Sequence, residues 1–362
     1  MSKPIALIMA GGTGGHVFPA LATAQKLVDK GYQIHWLGTE RGIESRLVPA
    51  AGFDITYMKV TGVRGKNLGT LIKAPFALIG SIFQAYKTVK RLNPAVVLGM
   101  GGYASGPGAV AAWLNGKPLV IHEQNAVAGT TNRLSARFAC RVLQAFGGAF
   151  QSSEQGEVVG NPVRDQLATV ATPTQRKQGL SADSALKLLV VGGSLGALAL
   201  NETVPAALAL LPAEQRPEVF HQAGDGKQHS TIKRYSAVGV DARVEPFIDD
   251  MLAAYSEADL VICRAGALTV SELACVGVAS ILVPLPHAID DHQTKNAEWL
   301  AEKGGAIVSP QKLLTAESLA EQINSLLGDK VRLLDMAEQS RAKAVPLSAS
   351  RVADICQEVA CG

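Results

Sequence analysis

The 362-residue chain lacks the features that mark several protein classes. It has no run of about 18 apolar residues, which argues against a membrane-spanning helix. Its five cysteines are odd in number and include no CxxC pair, so neither a disulfide framework nor a zinc site of that kind is expected. The apolar stretch at 5–10 is too short for a secretory signal and runs directly into glycines. Together these absences predict a cytoplasmic protein.

Acidic residues are missing from the interval between Asp54 and Glu123, which contains eight Lys and Arg. Residues 1–160 hold 16 Lys and Arg against 7 Asp and Glu, whereas residues 161–362 hold 18 against 24. An apolar segment at 74–83 lies inside the acid-free interval and has lysines on both sides. It could rest on an anionic membrane surface. Alternatively, it could be part of a core helix in which Leu71, Leu78, Ile82 and Val89 face a sheet and the flanking cations are merely solvated. Few aromatics accompany these cations, so nucleic acid is not an expected partner.

What is abundant is apolar residues and glycine. Apolar residues make up 48% of the chain and charged residues 18%, and the length suggests two domains. The 36 glycines occur in clusters, as if the backbone must approach something closely.

The main pattern is an apolar strand, a glycine-rich loop and a helix, which occurs at residue 5 and again at residue 186. Further apolar strands are predicted at 34–37, 96–98 and 119–122 in the first half and at 219–221, 260–263, 279–283 and 306–308 in the second. This pattern predicts two Rossmann-like α/β domains whose parallel sheets face each other across a cleft. The proposed domains are 1–163 and 164–341, with a hinge near 160–164. A final helix, 342–362, is expected to dock back on the first domain.

A glycine-rich loop before a helix exposes backbone N–H groups and the positive end of the helix dipole, which suits an anion. The loops at 11–15 and 192–196 match neither GxxxxGK[ST] nor GxGxxG, so a P-loop NTPase is disfavoured. Glu40 could imitate the ribose-binding acid of a dehydrogenase, which keeps a dinucleotide oxidoreductase as a rival. A third glycine loop, at 101–108, suggests a bulky ligand or two ligands.

The segment 264–272 follows a predicted strand, and its helix is expected to begin near Ala267. The first turn of that helix offers N–H donors to a diphosphate, and Glu272 could accept from ribose hydroxyls. Alternatively, Thr269 and Glu272 have the spacing of a capping box.

Six strings in this order resemble the MurG family of bacterial N-acetylglucosaminyltransferases, and the resemblance covers about residues 5–300 and more loosely the remainder. The strings are GGTGGHVFPA (11–20), GGYASGPG (101–108), HEQNAVAG (122–129), GNPVR (160–164), GGSLGA (192–197) and RAGALTVSE (264–272).

The resemblance implies a GT-B fold and an inverting enzyme that moves GlcNAc from UDP-GlcNAc to the MurNAc 4-hydroxyl of undecaprenyl-linked lipid I. The product would be lipid II for peptidoglycan synthesis. It further implies a C-terminal donor domain and an N-terminal domain on the cytoplasmic face of the inner membrane, and a cell-wall synthesis complex as a partner.

The same resemblance implies the substrate-binding residues. Ser194 and the start of the helix (Ala267, Leu268, Thr269, Val270, Ser271) would meet the diphosphate. The Ile248 backbone would bind the uracil, Glu272 the ribose, and Gln293, or the adjacent His292, the sugar. The residues that would contribute from the other side of the cleft are Thr13, Gly14, Gly15, Asn125 and Arg164.

Glycosyl transfer needs a base for the acceptor hydroxyl and a means of stabilising the departing UDP. His16 is the expected base, because it follows the first glycine loop at a helix start, where the dipole disfavours a protonated ring. A role as a positioning donor stays open, and Glu123 is the alternative base. No Asp-x-Asp motif follows a strand, so helix N-termini and Arg164 are expected to replace a metal. No protein metal site is predicted at His287, Asp290, Asp291 and His292, although Mg²⁺ could accompany the nucleotide.

Two further rivals remain. Another UDP-GlcNAc enzyme of this fold, such as a 2-epimerase, would have no need of the acid-free basic stretch. A non-catalytic nucleotide-sugar-binding protein would leave His16, Asn125 and Arg164 without a task.

Overall fold

A computed structural model describes residues 3–59, 68–150, 156–177, 185–193, 195–286 and 291–361. The chain divides into two compact units. Unit 1 comprises Met1–Arg164 together with Leu347–Gly362, and unit 2 comprises Asp165–Pro346. Each unit contains one parallel sheet with its own helices and core, so the predicted class of two parallel α/β domains is confirmed.

In the described residues, the sheet of unit 1 has seven strands in the order β3-β2-β1-β4-β5-β6-β7, all of them parallel. The strands are β1 (Ile5–Met9), β2 (Gln33–Gly38), β3 (Asp54–Tyr57), β4 (Val96–Gly99), β5 (Leu119–Glu123), β6 (Arg141–Gln144) and β7 (Glu157–Val158). The helices are α1 (Gly14–Asp29), α2 (Glu44–Ala50), α3 (Leu68–Leu92), α4 (Ser105–Leu114), α5 (Thr130–Ala136) and, at the end of the chain, α14 (Ser348–Cys361).

The central strands β1, β4 and β5 are almost completely buried because helices cover both faces of the sheet. Strand order reverses between β1 and β4, so the loops that follow these two strands diverge and leave a crevice at the carboxyl edge. Both loops are glycine-rich, and the first leads directly into α1. The sheet topology therefore places the predicted His16 loop at a position where α/β sheets commonly bind ligands.

The helix α14 belongs to unit 1. Val352, Ile355 and Cys356 are buried in the core that contains α1 and β1, and Lys30 pairs with Asp354. The helix begins at Ser348 rather than at 342, because Pro346 cannot continue a helix and the preceding helix ends at Ala342.

Among the described side chains of α3, residues 75–92, only those toward the C-terminal end pack into the core. Val89 packs into the core beside β4, as the core-helix alternative predicts, and Ala85 packs there as well. Leu78, which that alternative expected to face the sheet, is half exposed, and Phe76, Ile79 and Phe83 are exposed as well. Within the described residues, every helix is too short or too polar to span a bilayer.

Unit 2 has six parallel strands among its described residues, in the order β10-β9-β8-β11-β12-β13. They are β8 (Lys187–Val191), β9 (Glu218–Gln222), β10 (Arg243–Glu245), β11 (Leu260–Cys263), β12 (Ala279–Leu282) and β13 (Ala306–Val308). The helices are α6 (Pro173–Lys177), α7 (Leu198–Ala209), α8 (Gln228–Ala237), α9 (Met251–Glu257), α10 (Ala267–Val276), α11 (His292–Ala301), α12 (Ala316–Leu327) and α13 (Lys330–Ala342).

The reversal of strand order in unit 2 falls between β8 and β11. The loop after β8 is the second glycine-rich loop, and the turn after β11 leads into α10. Both strands are central and apolar, which is why their ends could be located from the sequence alone.

Candidate active site

The first glycine loop is fixed by a buried carboxylate. Glu44 is fully buried at the start of α2. Its Oε2 accepts from the N–H of Gly12 at 2.9 Å, and its Oε1 accepts from the N–H and the hydroxyl of Thr39 at 3.0 and 2.8 Å. Charge-assisted hydrogen bonds of this kind are among the stronger ones in proteins. Glu44 therefore joins the loop after β1 to the loop after β2.

The predicted residues of this loop lie at the N-terminus of α1. Thr13 is the N-cap residue, and its carbonyl accepts from the N–H groups of His16 and Val17. Gly14 and Gly15 are the first two helical residues. Their N–H groups belong to the first turn, where helix donors have no partner within the helix. The loop can thus present donors to an anionic or hydroxyl-rich ligand.

His16 is half-buried and packs against the third glycine loop. A Cβ on Gly101 would lie 2.9 Å from Cε1 of the His16 ring, and Gly101 has φ +93°. Glycine is required there both by the backbone conformation and by the ring. The Ser105 hydroxyl lies 2.7 Å from the carbonyl oxygen of Gly101 and holds that loop.

A chain of side chains leads from His16 into the core. His16 Nδ1 is 3.0 Å from Gln124 Oε1. Gln124 Nε2 is 3.2 Å both from His122 Nδ1 and from the His122 carbonyl oxygen. His122 Nε2 is 2.9 Å from the carbonyl oxygen of Gly160, and burial lowers the pKa of His122 to about 4.

Glu123 is buried and surrounded by donors. Its Oε1 accepts from the backbone and side-chain N–H groups of Asn125 at 2.9 and 3.1 Å. Its Oε2 accepts from the Gly129 N–H at 3.1 Å and from Asn132 Nδ2 at 2.8 Å. Four donors and a buried position favour a carboxylate that shapes the 122–129 loop over one that collects a proton from substrate. The same bonds orient the predicted ligand-binding residue Asn125.

Arg164 is exposed and is the last residue of the first segment of unit 1. The predicted contact of Arg164 with an anionic group stays a prediction.

In unit 2, α10 begins where the sequence predicted. Gly266 is its N-cap residue, with no side-chain cap, so Thr269 lies inside the helix and the capping-box alternative is wrong. Ala267, Leu268 and Thr269 form the first turn, whose N–H groups are available to phosphate oxygens. Val270 is buried, and the Ser271 hydroxyl donates to the Ala267 carbonyl at 2.9 Å. Phosphate contact would therefore come from the backbone of this turn.

Glu272 lies one turn further along α10 and is largely buried. The Tyr255 hydroxyl donates to its Oε2 at 3.5 Å. The predicted ribose-binding carboxylate is thus held by a neighbouring hydroxyl.

The glycine loop of unit 2 is tied to the predicted uracil-binding segment by one glutamine. Gln222 Nε2 donates to the Gly193 carbonyl at 3.0 Å, and Gln222 Oε1 accepts from the Ile248 N–H at 3.2 Å. The Ile248 N–H already donates to Gln222, so the backbone group of Ile248 that could bind uracil is its carbonyl, which would accept from a uracil N–H. Ser194, which was predicted to meet the diphosphate, lies outside the described residues.

Gln293 is in the first turn of α11, and its Oε1 accepts from the Leu285 N–H at 3.0 Å. Its amide nitrogen is the group that could donate to a sugar hydroxyl. The structure describes only Asp291 and His292 of the predicted His/Asp cluster. No group of three or more potential metal-ligating side chains occurs within the described ranges.

Sequence reasoning missed three positioning residues: Glu44, Gln124 and Gln222. Gln124 directly follows β5 and Gln222 ends β9, and a polar residue at the carboxyl edge of a parallel sheet is a usable signal. Glu44 had no such signal, because its partners are separated from it by 5 and 32 residues and meet it only in the fold.

Comparison with known proteins gives the class that this fold and site define. Residues 6–144 match the glycosyltransferase family 28 N-terminal domain, and residues 187–357 match the glycosyltransferase family 28 C-terminal domain. The chain is a glycosyltransferase of the GT-B fold.

More specific relatives are similar over almost the whole chain. The UDP-N-acetylglucosamine–N-acetylmuramyl-(pentapeptide) pyrophosphoryl-undecaprenol N-acetylglucosamine transferases of Azotobacter vinelandii and Stutzerimonas stutzeri are 54% and 56% identical to it, each alignment covering 98% of this chain and 99% of the relative. The crystal structure of Acinetobacter baumannii MurG has a TM-score of 0.86 at 42% identity and covers 98% of this chain and 99% of its own. The chain therefore belongs to the MurG family.

Proposed function

We propose that this enzyme transfers GlcNAc from UDP-GlcNAc to the MurNAc 4-hydroxyl of undecaprenyl-linked lipid I, which yields lipid II and UDP. The observation that carries the proposal is the similarity, over nearly the full length, to relatives named for this reaction. The two crevices support it, since each offers N–H donors from a glycine loop beside a helix start.

In the proposed reaction, the acceptor 4-oxygen attacks C1 of GlcNAc on the face opposite UDP. The new C1–O4 bond forms while the bond from C1 to the β-phosphate oxygen breaks, and the electron pair leaves with UDP. The hydroxyl proton passes to His16 Nε2. This displacement inverts the anomeric centre from α to β.

Negative charge grows on UDP as it departs, and we assign its stabilisation to the first turn of α10 and to Arg164. Glu272 takes the ribose hydroxyls, Ile248 the uracil and Gln293 the sugar, while Thr13, Gly14, Gly15 and Asn125 contact the acceptor or the transferred sugar. The chain holds no metal ion of its own in this scheme, although Mg²⁺ can accompany the nucleotide. Equilibrium dialysis of the nucleotide-free enzyme against Mn²⁺ tests this, and stoichiometric binding would contradict it.

The acceptor is a membrane lipid, and the exposed side chains of α3 suggest how unit 1 reaches it. Phe76, Ile79 and Phe83, spaced to lie on one side of the helix, are 76%, 63% and 58% exposed and form what we call the apolar face of α3. Lys87 lies 4.4 Å from the centre of the Phe83 ring. We propose that this face inserts into the inner membrane at its cytoplasmic surface, with cations meeting anionic headgroups.

The transfer is tested by mass spectrometry of products from UDP-GlcNAc and a lipid I analogue. The expected product is heavier than the acceptor by one GlcNAc residue and carries a β-linkage. Incubation with UDP-GlcNAc alone is the control. UDP-ManNAc in that control, with no transfer product, would overturn the proposal in favour of an epimerase.

A further inference from the structure

The hydrogen bonds that connect His16 to the core have only one consistent set of directions. Four groups lie in series: the His16 ring, the Gln124 amide, the His122 ring and the Gly160 carbonyl. The His122 carbonyl oxygen also lies 3.2 Å from Gln124 Nε2, so the network contains two backbone carbonyls, which can only accept a hydrogen bond. The positions of the protons follow from them.

The His122 carbonyl fixes the orientation of the Gln124 amide. Because the His122 carbonyl oxygen can only accept, the group 3.2 Å from it must be the NH₂ of Gln124. The amide oxygen consequently faces His16 Nδ1 at 3.0 Å. An acceptor at that distance requires that Nδ1 of His16 carry the proton.

The Gly160 carbonyl fixes the tautomer of His122 and thereby excludes a flipped Gln124 amide. Gly160 O, 2.9 Å from His122 Nε2, accepts from it, so Nε2 is the protonated nitrogen of this ring. Burial keeps His122 neutral at physiological pH by lowering its pKa to about 4, and Nδ1 therefore accepts from the second Gln124 N–H. A flipped Gln124 amide would set its oxygen against two acceptors, His122 Nδ1 and the His122 carbonyl oxygen.

We propose that Gln124 and His122 are positioning residues that hold His16 in its Nδ1–H tautomer, so that the Nε2 lone pair is available for the acceptor proton. The use of that lone pair rests on the proposed function, whereas the tautomer itself does not. A neutral histidine free in water prefers the opposite tautomer, with the proton on Nε2. The buried network reverses this preference, as the buried group hydrogen-bonded to Nδ1–H does in serine-hydrolase triads.

Nothing in the described residues hydrogen-bonds to His16 Nε2, and the ring is half-buried. The ring is also held by its contact with Gly101, so its orientation does not depend on the hydrogen bond alone. Removing the Gln124 acceptor should therefore change where the proton resides more than where the ring lies.

The experiment reads the tautomer directly, by ¹⁵N NMR of the ring nitrogens in full-length enzyme labelled at its seven histidines. The His16 signals are assigned by their absence in His16→Gln. We compare wild type with Gln124→Leu, which removes the acceptor, and Gln124→Glu, which keeps an oxygen facing Nδ1 in either protonation state. Gln144→Leu is the matched control, because Gln144 is a buried glutamine of the same sheet that bonds Gly156 and Ala149 instead.

In wild type, in Gln124→Glu and in Gln144→Leu, Nδ1 of His16 should be the protonated nitrogen. In Gln124→Leu, the proton should move to Nε2. Turnover should then fall by about 100-fold in Gln124→Leu, with KM for UDP-GlcNAc unchanged, and by less than about 10-fold in Gln124→Glu.

A wild-type His16 protonated on Nε2 would overturn the inference even if no variant folded. So would a Gln124→Leu enzyme that keeps the proton on Nδ1. An Nδ1–H tautomer in an enzyme that transfers no GlcNAc would instead refute the proposed function and leave the network intact. The two failures are therefore distinguishable.

Discussion

Each unit contains a buried, neutral histidine, and the two networks differ in where they end. In unit 2, His221 Nε2 is 3.1 Å from Asn201 Oδ1, and Nδ1 is 2.8 Å from the Tyr235 hydroxyl. Asn201 Nδ2 donates to the Ala223 carbonyl, so this network closes on itself inside the core. In unit 1, the His122 network ends at His16, which is half-buried. The same chemistry stabilises a fold in one unit and orients a candidate base in the other.

The glycine loops of the two units differ in the side chain that supports them. In unit 1, the loop is held by the Glu44 carboxylate. In unit 2, it is held by the Gln222 amide and by backbone packing, since a Cβ on Gly224 would lie 2.4 Å from the Gly196 nitrogen. Close backbone packing is common to both loops, because in unit 1 a Cβ on Gly102 would lie 2.4 Å from the Gly11 carbonyl oxygen. The two loops therefore differ in the supporting side chain, which is a carboxylate in unit 1 and an amide in unit 2.

The largest expected effect separates His16 from His221. His16→Ala should lower turnover by about 100-fold or more, the low end of general-base contributions, with KM for UDP-GlcNAc little changed. His221→Ala should leave turnover near wild type but reduce the free energy of unfolding by roughly 2 kcal/mol, because the Tyr235 hydroxyl and the Asn201 amide lose their partner. Steady-state kinetics and denaturant unfolding of both variants measure this contrast.

Circular dichroism of His16→Ala provides the control for folding. Turnover at the wild-type level in a folded His16→Ala enzyme would remove His16 as the base.

The second prediction concerns acid stability. Burial lowers the pKa of His122 to about 4 and that of His221 to about 3, from the ordinary value of 6.5. Between these values and pH 6.5, the unfolded chain binds a proton that the native histidine does not. The free energy of unfolding therefore has its full value above pH 6.5 and decreases as the pH falls below it, by roughly 3 kcal/mol per histidine over two pH units.

Native-state hydrogen exchange at β5 and β9 reports the two units separately. His221→Leu removes one titrating group, so the acid dependence at β9 should become shallower while that at β5 stays as in wild type. An unchanged slope at β9 would show that His221 does not account for the loss in unit 2.

The sequence located the strands with apolar runs, including the edge strand β13 (Ala306–Val308), and missed four strands without such runs. β1, β4, β5, β8 and β11 are continuous apolar runs that are buried on both faces, and their pattern survives without knowledge of their neighbours. The missed strands, β3, β6, β7 and β10, lie at or next to sheet edges. They are two to four residues long and carry charged or half-exposed side chains, which leaves little periodicity to detect.

The residues of the candidate site likewise divide into those that the sequence could locate and those that it could not. His16 and the start of α10 could be placed because a loop between a strand and a helix has a local signature. The supports of these groups could not be placed, because Gln124 lies 108 residues from His16 in sequence, and Gln222 lies 26 from Ile248. Strand order determines which polar side chain contacts which loop. Strand order depends on the whole sheet and cannot be inferred from any single segment of the sequence.

The smallest predicted effect tests the apolar face of α3 against an exposed apolar side chain of unit 2. Phe83→Glu removes one large apolar side chain from the proposed membrane contact and adds repulsion from anionic lipid, which should weaken binding to phosphatidylglycerol-containing vesicles by about 10-fold. Val331 on α13 is 80% exposed, and Val331→Glu adds the same charge to unit 2. Because unit 2 is not part of the proposed membrane contact, this control should bind vesicles as wild type does. Equal losses in cosedimentation for both variants would mean that overall charge, not the α3 face, governs membrane binding.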